Sequence, residues 1–329
     1  MDYMSVSSLL PLSTTSSETT LECESWNDFL YRMMDCPSIF INLAKLEFLS
    51  SCNGLVWLRT VHCITCSSSC DEEEEFYIWN MLTKSYKNIP AAPQRQVNND
   101  DVDGYGFCYC YKTGDYKLLR VVYDQASECS IVDVYSLKLN SWKCCQSIPY
   151  RIINHEQDGE GVFFNGAIHW LAYLTGESEQ DSSIVLICFD VVYENFDLVA
   201  ALSEDPMPNL QEPLEVDTFC VKLGVLGGFL CLVLHVFHIQ VDVWTMQQYG
   251  VTESWIKSLS ITQESIISSR NVELLWSFKN NEILLFVDQG FVLYDPNNER
   301  YRTLMLNSQI TGSLNISYND DMVSPFSLN

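Results

Sequence analysis

The sequence predicts an all-β chain, a β-propeller of five or six four-stranded blades behind a short N-terminal segment that is mostly disordered or helical. Three observations predict it. A two-hairpin unit recurs five times along the chain, Asn-Gly-like turns recur inside that unit, and no stretch between 46 and 306 keeps an apolar period of about 3.6 residues. The 329 residues are 47% hydrophobic and 19% charged, which supplies a large core.

The first copy runs LEFLSSCNGLVWL (46–58) and then FYIWNMLTKSYKNIP (76–90). The second runs GYGFCYCYKTGDYKLLRVVYD (104–124) and SIVDVYSLKLNSWKCCQSIP (130–149). The third is GVFFNGAIHWLAYL (161–174) with SIVLICFDVVYENFDLVAAL (183–202), and the fourth is VKLGVLGGFLCLVLH (221–235) with VDVWTMQQYGVTESWIKSLSI (241–261). VELLWSFKNNEILLFVD (272–288) with FVLYDPNNERYRTLML (291–306) makes the fifth. Asn53-Gly54 and Asn165-Gly166 suit type I′ turns, where both central residues need a positive φ, and Asn280-Asn281 is expected to take the same shape. Those two Asn-Gly pairs lie two copies apart, so one repeat is about 56 residues, the scale of a kelch-type blade. A pair of β-sandwiches would also show short strands and turns, but it does not require five copies of one order. Leu223 to Ile239 is the most membrane-like run; Gly227-Gly228 splits it, and two buried strands joined at that turn are expected instead.

Loop lengths orient the ring. The turns inside each hairpin are short, whereas 59–75, 90–104, 149–161, 173–183 and 203–217 are long. In an antiparallel blade those long connections share one face, and insertions gathered on one face build a binding surface. They are acidic: Asp71, Glu72, Glu73, Glu74 and Glu75; Asp100, Asp101 and Asp103; Glu156, Asp158 and Glu160; Glu177, Glu179 and Asp181; Glu204, Asp205, Glu212, Glu215 and Asp217. Only Arg59, Arg95 and Arg151 stand against them. The whole chain carries 43 Asp plus Glu against 18 Lys plus Arg, a net charge of −25. That field repels phosphate backbones and anionic lipid, which excludes nucleic acid and membrane as partners and favours a target protein with a basic surface.

The 14 cysteines do not read as a secreted framework, because MDYMSVSSLLPLSTTSSETT lacks the basic start and apolar core of an export signal. Cys108, Cys110, Cys188 and Cys231 fall in strand-like runs, where a reduced thiol acts as a small hydrophobe. The expected compartment is the cytosol, the nucleus or both. His62, Cys63, Cys66 and Cys70 form the one metal-like cluster. All four come from one short Ser-rich stretch without the distant second pair of most structural zinc sites, so no metal or cofactor is expected. His169, His235 and His238 sit in apolar strand patterns and are expected to be hydrogen-bonded core histidines. Gly104-x-Gly106 lacks the third glycine of a dinucleotide fingerprint and opens a strand. No nucleophile-elbow, phosphate-loop or zincin motif is present. Trp79, Tyr86, Trp142, Trp244, Trp255 and Tyr294 recur in register as blade-to-blade packing.

The ordered series SSCNGLVWL, IWNMLTKSYKNIP, GDYKLLRVVYD, VDVYSLKLNSWK, FFNGAIHWLA, ICFDVVYENFDLV, VWTMQQYGVTESW and LYDPNNERYRTL resembles the F-box-associated, kelch-like domain of plant F-box proteins over about 50 to 306. The resemblance implies a propeller, assigned here to 45–325, that selects a protein for ubiquitination. An F-box ahead of it would grip the Skp-type adaptor of a cullin–RING ligase. In 1–44 only CESWNDFLYRMMDCPSIF (23–40) resembles the tail of an F-box, through Cys23, Trp26, Phe29 and Leu30. The rest of that segment is Ser/Thr-rich, so the adaptor is expected to bind weakly. The expected function is non-catalytic target binding. The alternatives are a decoy binder uncoupled from any ligase, and a propeller enzyme such as a glycan hydrolase or lyase. The apolar segments GLVWL, AIHWLAY and EILLFV, taken as channel lining, argue against the enzyme.

Overall fold

A computed structural model of the chain describes residues 45–63, 72–80, 82–93, 102–153, 159–175, 184–202, 219–269, 272–288 and 290–304. These residues form five antiparallel sheets, the five blades of a propeller. Blade one is β1 (Lys45–Cys52), β2 (Leu55–Cys63), β3 (Glu72–Asn80) and β4 (Tyr86–Ile89). Blade two is β5 (Val102–Cys110), β6 (Asp115–Asp124), β7 (Cys129–Ser136) and β8 (Ser141–Ile148). Blade three holds β9 (Tyr150–Ile152), β10 (Val162–Phe164), β11 (Ala167–Leu174), β12 (Ile184–Asp190) and β13 (Asn195–Ala201). Blade four is β14 (Phe219–Leu226), β15 (Phe229–Val236), β16 (Gln240–Met246) and β17 (Trp255–Ile261). Blade five is β18 (Val272–Ser277), β19 (Ile283–Val287), β20 (Gly290–Asp295) and β21 (Arg300–Leu304). One helical turn, α1 (Glu264–Ile267), links the last two blades.

Sequence explains the strands. The middle strands of each blade are buried on both faces, so they read as near-continuous apolar runs, as in IVLICFD and FLCLVLHV. Successive side chains then serve opposite neighbours. Ile168, Trp170 and Ala172 of β11 pack on Leu119, Val121, Val132 and Val134 of blade two, while Leu171 joins Leu230, Leu232 and Trp244 of blade four. Leu55, Trp57 and Ile78 meet Phe107, Leu118 and Tyr135 at the first seam; Val233, Val241 and Val243 meet Leu285, Val292 and Tyr294 at the fourth. The outermost strands are mostly exposed.

Turn chemistry fixes register. Asn53 (φ 49°) with Gly54 (φ 73°), Asn165 (φ 49°) with Gly166 (φ 81°), and Gly227 (φ 58°) with Gly228 (φ 85°) are two-residue turns with positive φ throughout. The Asn280-Asn281 turn differs from expectation. Only Asn281 is left-handed, in a five-residue loop closed by Phe278 N–H donating to Glu282 O and Asn281 N–H donating to Phe278 O. Four of the five outer hairpins share another device: Lys84, Asn140, Glu194 and Glu299 each take a positive φ before the last strand. Asn80, Asp190 and Asp295 open three of these hairpins by accepting backbone N–H groups of the turn. Across the hairpins lie the pairs Trp79–Tyr86, Tyr135–Trp142, Phe189–Phe196, Met246–Trp255 and Tyr294–Tyr301. The expected register therefore holds for Trp79, Tyr86, Trp142, Trp255 and Tyr294, with Tyr86 and Tyr301 exposed, whereas Trp244 sits two positions off it, opposite Lys257, and Met246 takes the register position.

Several expectations are corrected. The 59–75 connection is shorter than expected, since β2 runs to Cys63 and β3 starts at Glu72. Backbone pairing continues from Leu55–Asn80 to Cys63–Glu72 without a break, and that ladder does not require apolar side chains. His62 and Cys63 thus belong to a strand. His238 is an exposed turn residue with φ 59°, held by its N–H on Ile267 O, rather than a core histidine. The segments read as channel lining (GLVWL, AIHWLAY and EILLFV) lie at or within the second strands β2, β11 and β19, or at their edges. The first strands contact their successors in series, β1 with β5, β5 with β10, β10 with β14 and β14 with β18, and there Lys222 of β14 and Glu273 of β18 form an ion pair at 3.5 Å.

Blade three holds the largest surprise. Its innermost strand is split. β9 pairs with 172–174 of β11 and β10 with 167–169, so the chain leaves the strand midway and returns. On its way back it crosses to blade two. Tyr105 N–H donates to Gly159 O and Gly161 N–H donates to Tyr105 O, giving a parallel bridge between Tyr105 and Glu160. Glycines permit the approach. A Cβ on Gly159 would sit 2.6 Å from the Asp103 carbonyl oxygen, and one on Gly161 2.4 Å from the Trp170 ring. Trp170 Nε1 donates to the Tyr105 and Gly159 carbonyls and closes the seam. Gly104 and Gly106 are thus packing glycines: a Cβ on either would meet Ile152 or Ile168 within 3.0 Å.

The neighbouring seam carries a buried histidine. His169 is fully buried; its Nδ1 faces Val162 O at 3.3 Å and its Nε2 faces the Tyr249 hydroxyl at 2.8 Å, across from blade three to blade four. Burial holds its imidazole down to about 4.

Two outcomes follow in thermal and denaturant unfolding. Gly159→Ala and Gly161→Ala should each destabilise by about 2 kcal/mol through overpacking, because backbone or a large ring blocks relief. Gly104→Ala should cost less, since its first obstacle is the tip of Ile152; equal losses at all three would refute the seam. For His169, the unfolded chain takes up a proton near 6.5 and the folded chain only near 4. Stability tied to the neutral ring is therefore complete above 6.5 and falls as pH drops towards 4, by about 3 kcal/mol. His169→Gln should remove that slope; identical pH profiles for both proteins would show the ring is not held neutral.

Candidate partner-binding site

In each blade the turns joining strands one to two and three to four open on one face, and the other connections open on the opposite face. The acidic residues expected to bind a partner fall, in sequence, in or beside connections of the second kind. Asp71, Asp100, Asp101, Glu156, Asp158, Glu177, Asp181, Glu204 and Asp205 lie outside the described residues, as do Cys23, Trp26, Phe29 and Leu30, and Cys66 and Cys70. Glu72, Glu73, Glu74 and Glu75 are placed at the start of β3. Glu75 accepts a hydrogen bond from the Tyr77 hydroxyl at 2.8 Å; burial first, and then this carboxylate, push that phenol up to about 12.

The arginines of this region are engaged at the blade one–two and two–three seams. Arg59 Nη1 donates to the Tyr105 hydroxyl at 3.2 Å and lies 5.9 Å from its ring. Arg151 lies 4.9 Å over the Tyr123 ring and 3.9 Å from the buried Asp103 carboxylate. Arg95 falls outside the described residues. Glu160 is exposed beside the split strand, so two acidic segments, those of Asp103 and Glu160, meet in space through the glycine seam.

Burial raises most of the thiols near the seams; at Cys110 burial also pushes up, but hydrogen bonds with Thr113 and the nearby Lys117 outweigh it and bring that thiol below its ordinary range. Nine cysteines, those of the described residues other than Cys63, are free. Burial pushes the Cys52 thiol up to about 11 and the Cys231 thiol to about 12, and pushes Cys108 higher still. Among the described residues, no group of three or more His, Cys, Asp or Glu is arranged to hold a metal ion, and no helix is long and apolar enough to cross a membrane.

The short-turn face was missed by the sequence reading. It carries the three most exposed large apolar side chains of the described residues, Tyr193 (76%), Leu139 (74%) and Tyr111 (73%). Each sits in a hairpin turn, where polar residues are the rule. An apolar residue inside a turn was the available signal; alternation with its strand neighbours hid it.

The profile of the family described as F-box associated beta propeller domain matches residues 30–326. An F-box/kelch-repeat protein of Arabidopsis thaliana is 26% identical over 282 residues, covering 85% of this chain and 69% of that protein. F-box protein CPR1 of the same plant is 25% identical over 284 residues, covering 79% of this chain and 63% of that protein. The chain thus spans about two thirds of the length of these relatives. Among solved structures, an exo-β-1,3-galactanase from Phanerochaete chrysosporium overlays with a TM-score of 0.43 and 7% identity, covering 79% of this chain and 66% of that one. The match spans all five blades, and the relatives are F-box proteins: this chain belongs to the family of F-box associated beta propeller domains.

Proposed function

We propose that this chain is a protein-binding module, the target-recognition part of a Skp–cullin–F-box ubiquitin ligase, which acts in the cytosol or the nucleus. The observation that carries the reading is the family match over all five described blades, together with relatives named as F-box proteins. The module does no chemistry of its own. Ubiquitin transfer would belong to other subunits, and this chain would supply selectivity.

The proposed target site is the long-loop face, with Asp71 to Glu75, Asp100, Asp101, Glu156, Asp158, Glu177, Asp181, Glu204 and Asp205 as its charged contacts. A rigid ring with variable loops on one rim is a scaffold suited to selecting partners. A net charge of −25 favours a basic target surface and speeds the encounter with it. The arginines on described parts of this region are engaged with tyrosines of blade two, which supports the carboxylates as its main charged contacts.

Affinity capture with mass spectrometry, with and without proteasome inhibition, identifies the target. Charge reversal of Asp71–Glu75 with Asp100 and Asp101 should then weaken capture about tenfold and flatten its salt dependence. Unchanged capture would move the target site off this face. Mixed with a Skp-type adaptor at micromolar concentration, the chain should form no stable one-to-one complex. A stable complex would show that Cys23, Trp26, Phe29 and Leu30 suffice for adaptor binding.

A further inference from the structure

The protein is strongly acidic, yet one patch of its short-turn face inverts that sign. Three turns build it: 111–114 and 137–140 of blade two, and 191–194 of blade three. They are joined directly. Lys138 Nζ donates to Thr113 O at 3.4 Å, and Lys112 Nζ lies 5.0 Å over the Tyr193 ring, bridging the two blades.

Within residues 109–116, 136–143 and 190–195, every exposed charged side chain is a lysine: Lys112, Lys138 and Lys143. The acids there are turned inward and already committed. Asp115 accepts from Ser136 Oγ and Lys138 N–H, and Asp190 accepts from the N–H groups of Val192 and Tyr193. Glu194 receives both Lys117, at 2.6 Å, and Lys143. Burial pushes its carboxyl up, but those two lysines outweigh it and hold the group below the usual range. The surface is therefore positive and apolar at once, with Tyr111, Leu139 and Tyr193 standing out between the ammonium groups.

The patch is also rigid. The Tyr111 ring packs edge-on against Tyr109 at 4.9 Å, and Tyr109 rests on Tyr116 at 4.7 Å. The Tyr135 hydroxyl donates to Asn140 Oδ1 and fixes the second turn. Lys117 also donates to Val191 O at 2.8 Å and so locks the third turn to blade two. Preordered tyrosines lose little freedom on binding, and tyrosine is enriched where binding energy concentrates.

We propose that this patch docks an acidic peptide segment of a partner protein, one carrying aromatic or aliphatic side chains between its carboxylates. The carboxylates would take the remaining Nζ–H donors of Lys112 and Lys138, and the apolar side chains would pack on Tyr111, Leu139 and Tyr193. This surface is built from turns within hairpins and uses none of the acidic residues proposed for the target site, so it holds whether or not those residues bind the ligase target. A nucleic acid would also offer anions to the lysines, but it carries a charge at every nucleotide and meets the −25 of the molecule beyond the patch, whereas a short peptide confines its carboxylates to the two lysines.

Fluorescence anisotropy on the full chain tests this with a labelled peptide of alternating Glu and Phe or Leu. Its controls are the same peptide with Lys for Glu, the same peptide with Ser for Phe and Leu, and a single-stranded oligonucleotide of equal charge. The Glu–Phe/Leu peptide should bind in the micromolar range and the three controls at least about tenfold more weakly. Lys112→Glu with Lys138→Glu, and separately Tyr111→Ser with Tyr193→Ser, should each weaken binding by about tenfold while thermal unfolding stays unchanged. Reversing Asp71–Glu75 should not weaken it. Failure to bind at millimolar peptide, equal binding of any control, or indifference to both double variants would overturn the proposal.

Discussion

Everything in this fold depends on burial of each blade on both faces. A four-stranded sheet with apolar residues at consecutive positions has no solvent face to offer, so it is stable only between two neighbours. The middle strands show the consequence. In β11 the odd and even positions serve different blades, with Trp170 turned to blade two and Leu171 to blade four. The sequence must therefore be apolar throughout these strands, and a period of two disappears from their hydropathy. What survives is the order of hairpins, and that order made the fold legible. Some of the buried polar groups tie blades together, as with Lys117 and Glu194 or His169 and Tyr249.

Legibility was uneven for physical reasons. Asn53-Gly54 and Asn165-Gly166 announced their turns because two consecutive positive φ values leave few residue choices. Asn280-Asn281 misled, since asparagine tolerates the left-handed region without demanding it, and here only the second residue takes it. The split inner strand of blade three could not be read at all. β9 is three residues long, and its partner lies on β11 some twenty residues on, so no local pattern encodes the pairing. Its trace in sequence was the glycine pairs 104/106 and 159/161, whose meaning is the close approach of two backbones. Glycine reports crowding as readily as it reports turns.

The site divides in the same way. Acidic loops were legible as composition, because solvated charge runs need no partner to be recognised in a sequence. Their assignment to one rim is an expectation from strand connectivity, and most of them lie outside the described residues. The lysine-bearing patch was illegible because its character lies in what is absent from the surface. Asp115, Asp190 and Glu194 look, in sequence, like a balance for Lys112, Lys138 and Lys143. Only the folded geometry shows that those acids are spent on Ser136, on backbone N–H groups and on Lys117 and Lys143. Net charge over a window says little about the field a partner meets when one sign is turned inward.

The two rims of the ring obey different constraints, and this bears on how such a module recognises partners. Hairpin turns on the short rim are fixed by register: lengthening Asn53-Gly54 or the Asp190–Glu194 turn would disturb the strand ladder on either side. Their side chains can vary, while their backbone positions cannot. Connections on the long rim are freed from register, since they join a blade to the next or cross between its middle strands. Variation there changes length and charge without unpicking the sheets. A short-rim contact is therefore built for a fixed, preordered docking geometry, as Tyr111 held on Tyr109 illustrates, whereas a long-rim contact is built for diversification. One protein can carry both, because the rigid blades between them uncouple the demands.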